Sequence, residues 1–273
     1  VTIKPGGPDI APAQVLAGGG ADVMVDWMPS ALAAREKGLP LVNIAQPFKS
    51  SGMMLTCRKD MGVNSTADLK GKTLGVWFYG NEYPFLSWMS RLGLKTDGSA
   101  NGVTVLRQGW GVEPLTEGQA ACVSTMSYNE YWVVRDAGYS PEQLTVFKYQ
   151  SEGAATLEDG LYVHEKNLSD AAFKDKMVRF VRASMKGWKY AEANPKEAAM
   201  IILDNDDAGV QTEKHQVRMM GEIAKLTAGS NGSLDPADYE RTVKVLMSGD
   251  SDPVITKKPS GAWTNEITNA ALN

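Results

Sequence analysis

Four short segments bring aromatic rings together with amide, hydroxyl and carboxylate groups: Asp26-Trp27, Ser50-Ser51-Gly52, Gly80-Asn81-Glu82-Tyr83 and Ser127-Tyr128-Asn129-Glu130. Each lies where a strand-like run gives way to a turn. Flat rings stack on a planar molecule, and amides and carboxylates bond its polar edge. The candidate ligand-binding residues are therefore Trp27, Ser51, Gly80, Asn81, Glu82, Tyr83, Tyr128, Asn129 and Glu130. Core packing explains any one of these rings taken singly. Four clusters at equivalent strand ends favour binding.

The chemistry these groups could perform is narrow. Glu82 and Glu130 could be imagined as an acid and base, but no nucleophile or metal site accompanies them. Gly71-Lys72-Thr73 looks like the end of a phosphate loop, yet Thr66 stands where a glycine is required, and the segment precedes its strand. There is no G-x-S-x-G, no H-E-x-x-H and no G-x-G-x-x-G after a strand. His164 and His215 have no neighbouring ligand pattern, and Cys57 and Cys122 are not spaced for a metal. Whether the two cysteines pair is left open. The reading is a binder, not an enzyme, with no metal and no cofactor.

The third cluster shows how such groups are positioned. Residues 74–78 form a short apolar run of buried-strand character; Gly80-Asn81-Glu82 turns sharply; Pro84 then opens a helix carrying Phe85, Leu86, Trp88 and Met89. Ligands of open α/β sheets lie at such strand-to-helix turns. Glu82 and Glu130 both sit near helix starts, whose positive ends should keep them ionised at neutral pH unless burial strips their water.

Strands alternating with helices over residues 1–163 predict parallel sheets, beginning with a strand at residues 1–4. From residue 169 the pattern turns helical, with Phe173, Met177, Phe180, Val181, Ser184 and Trp188 on one face. Extended stretches at 53–58 and 160–163 predict two crossings between a lobe of residues 1–56 and 158–273 and a lobe of residues 57–157. The expected class is α/β, two lobes with a ligand cleft at the hinge.

Composition excludes other partners. A net charge of −4 leaves no basic footprint for nucleic acid, and no apolar run nears the roughly 20 residues of a membrane span. The start on Val-Thr-Ile-Lys, with neither an initiating methionine nor a signal-like stretch, is expected of a mature, trimmed or partial chain.

Several pieces resemble one family: Gly19-Gly20-Ala21-Asp22-Val23, Gln46-Pro47-Phe48 with Ser51-Gly52-Met53-Met54, Leu69-Lys70-Gly71-Lys72 leading to Val76-Trp77 and Gly80-Asn81-Glu82, Ser127-Tyr128-Asn129-Glu130-Tyr131, and Asp159-Gly160. The chain is similar to the NMT1/THI5-like substrate-binding proteins of ABC importers. That resemblance implies a type II periplasmic-binding-protein fold with the family's first strand and helix missing here. It implies a heteroaromatic ligand such as a thiamine pyrimidine precursor, gripped at Trp27, Asn81, Glu82, Tyr128 and Glu130. It also implies a membrane permease as partner, a periplasmic or lipid-anchored extracytoplasmic location and a monomer. A sulfonate or nitrate binder is the alternative within binding. A thiamine-pyrimidine synthesis enzyme on the same fold is the alternative outside it, against which stand two scattered cysteines and two histidines outside the clusters.

Overall fold

Two sheets divide the strands, and the chain passes between them twice. The computed structural model describes residues 1–7, 9–248 and 253–272. In chain order its elements are α1 (Pro12–Ala17), β1 (Met24–Asp26), α2 (Met28–Glu36), β2 (Leu41–Ala45), β3 (Met53–Arg58), β4 (Thr73–Val76), α3 (Tyr83–Arg91), β5 (Thr104–Arg107), α4 (Glu113–Thr116), β6 (Cys122–Met126), α5 (Glu130–Asp136), β7 (Leu144–Lys148) and β8 (Gly160–His164). Five helices complete them: α6 (Ala171–Ala193), α7 (Pro195–Asp204), α8 (Glu213–Thr227), α9 (Pro236–Met247) and α10 (Glu266–Leu272).

One sheet has the order β1-β8-β2 and the other β5-β4-β6-β3-β7. Neither is the purely parallel sheet expected from the alternation of strands and helices. β4 pairs parallel with β5 and β6, but β3 runs antiparallel to β6 and β7, and β8 antiparallel to β1 and β2. β3 and β8 are each the first strand after the chain changes sheets, and each runs antiparallel to both of its neighbours. β3 pairs in the five-stranded sheet from Met53 onward, ahead of the 56/57 division expected. Residues 1–4 form no strand; Val1 and Ile3 are exposed.

The strand–turn–helix at β4 and α3 forms as its residues dictate. Pro84 lies in the first turn of α3, and Phe85, Ser87, Trp88 and Met89 turn inward. Trp88 packs edge-on against Phe147 and Tyr149 on the far side of the five-stranded sheet. Burying each of these large apolar side chains is worth about 1.5–3 kcal/mol. α2 follows β1 in the same way, with Pro29 in its first turn and a buried face from Met28 to Ala33.

The cores beneath the two sheets exchange aromatics. Trp27, which leaves the three-stranded sheet, is buried in the five-stranded sheet's core with Trp77, Phe85 and Met126. Tyr83, at the head of α3, packs back against the core of β1, α2 and α9. The strand-end residues are thereby pulled toward one another across the space between the sheets.

Cys57 and Cys122 face each other in the register of β3 and β6 and form a disulfide. The bond closes a chain segment with a sequence separation of 65. Replacing both by serine should lower the free energy of unfolding by about 2–4 kcal/mol, by loss of the constraint on the unfolded chain. Urea titration of wild type and variant measures it, and coincident midpoints would show that the bond adds nothing.

Candidate functional site

Three carboxylates converge where β1 ends, β3 begins and β8 begins. Asp26 is the last residue of β1. It accepts hydrogen bonds from the Trp27 N–H at 2.8 Å and from the Ser30 hydroxyl at 2.9 Å. Asp159 stands one residue ahead of β8 in a left-handed conformation, with φ of 31°, and its Oδ1 accepts from the Trp27 indole N–H at 3.3 Å. Glu158 is buried. It accepts from the Ser51 hydroxyl, from the Gly52 N–H at 2.8 Å and from the Met53 N–H at 3.2 Å. The Gln46 side chain donates to the Glu158 carbonyl, fixing the backbone beneath it.

Burial acts on all three, and the charges act on one another. Burial pushes Asp26 up to about 7, against the pull of its two donors, and the Asp159 charge adds to the rise. Glu158 is pushed up to about 8 and Asp159 to about 6, again chiefly by burial. Among the described residues no ion pair involves any of the three. Buried charge without a cation is costly. The cluster is primed to receive positive charge or hydrogen-bond donors.

Aromatic groups surround it. Burial pushes the Tyr128 phenol well up, and the charges of Asp159, Glu158 and Glu130 add to the rise. Phe48 lies 6.4 Å from the Tyr128 ring and edge-on to Trp188 at 5.5 Å. A side chain at Gly52 would meet Tyr128 and Ser127 at 3.2 Å and Leu226 at 2.9 Å. The glycine is what lets the ring lie against the start of β3.

The nine residues expected from sequence fall into three places. Trp27, Ser51 and Tyr128 join the carboxylate cluster. Gly80, Glu82 and Tyr83 line an adjoining pocket of about 460 Å3 between α2 and the β4–α3 turn, with Ser30, Lys37, Phe78 and Arg107. Gly80 has φ of 110°, and a Cβ there would come within 2.4 Å of the Ser30 Cβ, so the turn closes onto α2 only because this residue is glycine. Asn81 is half-buried in that turn but does not line the pocket. Asn129 and Glu130 lie at the contact of α5 with α8. Glu130 accepts from the Met126 N–H and from the Asn129 amide, whose oxygen pairs with His215 Nε2 at 2.7 Å.

The helix ends do not keep Glu82 and Glu130 at ordinary carboxylate values. Burial is the larger effect and raises both, although the N–H groups of their own turns pull the other way. Both Glu130 oxygens are already bonded within the protein, one to the Met126 N–H and one to the Asn129 amide. The acid pair Glu158 and Asp159 and the rings Phe48 and Trp188 were missed as site residues. Two adjacent acids directly ahead of the apolar run of β8 are the signal that could have found the first two.

The sequence profile of the family described as NMT1/THI5 like matches residues 1–198. A protein of Halalkalibacterium halodurans named formylaminopyrimidine-binding protein is 24% identical over 266 residues, covering 93% of this chain and 78% of that one. Among solved structures, a protein of Bordetella bronchiseptica RB50 superposes with a TM-score of 0.71 at 21% identity, covering 94% of this chain and 82% of its own. A periplasmic sulfonate-binding protein of an ABC transporter from Methylobacillus flagellatus KT gives 0.66 at 14% identity, over 95% and 77%. These structures establish the periplasmic-binding-protein fold.

The raised carboxylates make stability fall as pH rises. Near pH 6.5 unfolded His164 and His215, whose folded values burial lowers, still bind about half a proton each, which opposes the trend but is less than the native carboxylates hold. In that range unfolded carboxylates hold no proton, while native Asp26 and Glu158 still bind theirs up to about 7 and 8. The native state therefore binds more protons, and each step toward pH 8 costs stability. Thermal melting at pH 6.5 and 8.0 should give the lower Tm at 8.0, and Asp26→Asn should shrink the difference. A Tm that climbs over this range contradicts the assignment.

Proposed function

The chain belongs to the NMT1/THI5-like family, and from that premise we propose that it is the solute-binding component of an ABC importer that captures a thiamine pyrimidine precursor. The observation that carries the ligand class is the group of buried carboxylates Asp26, Glu158 and Asp159, unmatched by any cation among the described residues and flanked by Trp27 and Tyr128. An aminopyrimidine supplies what they lack. Its exocyclic amine donates, its ring nitrogen takes a proton, and its face stacks on an aromatic ring. A sulfonate or nitrate would meet carbonyl and carboxylate oxygens there, with Asp159 the most readily ionised, and no cation among the described residues.

The three-stranded sheet with α6 to α10 forms one lobe in this reading and the five-stranded sheet the other, so the ligand is held between them. Binding occurs without turnover. Both cysteines are tied in a disulfide, and His164 and His215 stand at the end of β8 and at the α5–α8 contact, apart from the carboxylates. The disulfide supports an oxidising, extracytoplasmic setting, and among the described residues no helix is long and apolar enough to cross a membrane. The remaining partner is the importer's membrane permease, served by a monomer.

Titration calorimetry with an N-formyl aminopyrimidine should give saturable binding with the ligand recovered unchanged by mass spectrometry. Asp159→Asn removes one acceptor charge and should weaken it about tenfold or more, since a charge-assisted bond is worth about 1.5–3 kcal/mol. Binding of a small alkanesulfonate in its place, or a converted product, would overturn the proposal.

A further inference from the structure

A second pocket, of about 700 Å3, lies between α6, α7 and α8. Small ligands fill volumes of about 300–1,000 Å3. Its walls are apolar: Trp188 from α6, Ala198 and Ile202 from α7, and Met219, Met220 and Ile223 from α8. The protein leaves the apolar side of α7 partly uncovered there, with Ile201 51% and Ile202 41% exposed. Trp188 also meets Phe48 edge-on at 5.5 Å. The pocket is nevertheless distinct from the carboxylate cluster, since Asp26, Glu158 and Asp159 take no part in its lining.

One buried amide gives the pocket its chemistry. Gln216, early in α8, is only 4% exposed and lines the pocket. Its Nε2 donates to the Gln211 side-chain oxygen at 2.6 Å and to the Met219 sulfur at 3.4 Å. Gln211 is itself held, its backbone N–H donating to Asp206 at 2.7 Å. The Gln216 amide is thereby fixed with its nitrogen engaged. Among the described residues no group donates to its Oε1, and that oxygen is not one of the buried atoms sealed without a partner. A buried amide oxygen without a donor is costly, and the pocket is where a donor can reach it.

The other polar groups narrow the guest further. The Asn205 amide nitrogen donates to the Ile201 carbonyl at 2.8 Å, which leaves its oxygen as the free end. Asp206 is the one charged residue among those that line the pocket. A guest therefore meets oxygens and no cation, which disfavours a carboxylate or sulfonate. An ammonium would give up its water for a neutral amide, whereas a hydroxyl gives up little.

We propose that this pocket is a second ligand site, taking a neutral apolar molecule with one hydroxyl group, of the alkylphenol kind. The hydroxyl donates to Gln216 Oε1, the ring lies against Trp188, and the alkyl chain covers Ile202 and the two methionines.

Calorimetry on the full chain with 4-propylphenol should give saturable binding at one equivalent, unchanged in Asp159→Asn. 4-Propylanisole has the same body without the donor and should bind about tenfold more weakly or worse; 4-propylbenzoate should bind more weakly still. Gln216→Leu should bring the phenol and the ether to equal affinity. Ala191→Phe, on the half-buried wall of the pocket, fills the space and should abolish binding of both. An unchanged Tm confirms that each variant is folded; should one not fold, the phenol, the ether and 4-propylbenzylamine compared on wild type decide. Ether binding as tight as phenol binding, or tighter binding of the amine than of the phenol, overturns the inference. So does phenol binding that survives Ala191→Phe, that is lost in Asp159→Asn, or that is absent from wild type.

Discussion

The Glu158 carboxylate is the bond on which the arrangement turns. It sits on the segment that leads into β8 and accepts from Ser51, Gly52 and Met53 on the segment that leads into β3. The chain changes sheets at both places. One buried side chain therefore ties the two crossings to each other, and with Gln46 holding the Glu158 carbonyl, the tie extends to the end of β2. Asp159 takes its position from this anchor, and Trp27 from Asp159. Burial opposes the charge that makes Glu158 a good acceptor. Three donors offset only part of that cost, and the anchor is consequently sensitive to any change that removes one of them.

What could be read from sequence was the grammar of individual units. Pro29 and Pro84 open α2 and α3 after apolar runs, because a proline needs no hydrogen bond in the first helical turn. The amphipathic spacing from Phe173 to Trp188 became α6. Strand direction was not legible, since the hydrophobic run of a strand is the same read either way. The antiparallel entry of β3 and β8 depends on where the chain comes from. Residues 1–4 have a strand's alternation but no partner, and a strand is only as real as the edge it pairs with.

The site was legible in part for a related reason. Trp27, Ser51 and Tyr128 are short-range features of strand ends, and they do meet. Their meeting depends on Glu158 and Asp159, distant in sequence, whose importance comes from burial. Glu82 and Glu130 illustrate the converse. A helix start suggests an ionised, outward carboxylate, whereas here each bends back onto its own turn and loses most of its water. The helix end supplies a modest attraction at the surface, and desolvation of a buried acid exceeds it.

α8 reaches across to α5 through His215 on Asn129, Arg218 on Asp136 and the Arg218 guanidinium 4.7 Å over Trp132. Every partner in that seam belongs to the protein itself. Its free energy therefore favours the shut arrangement by the same amount whether the chain is loaded or empty, and it cannot by itself distinguish solute from solvent. Whatever opens the lobes must do the mechanical work of separating these few polar contacts.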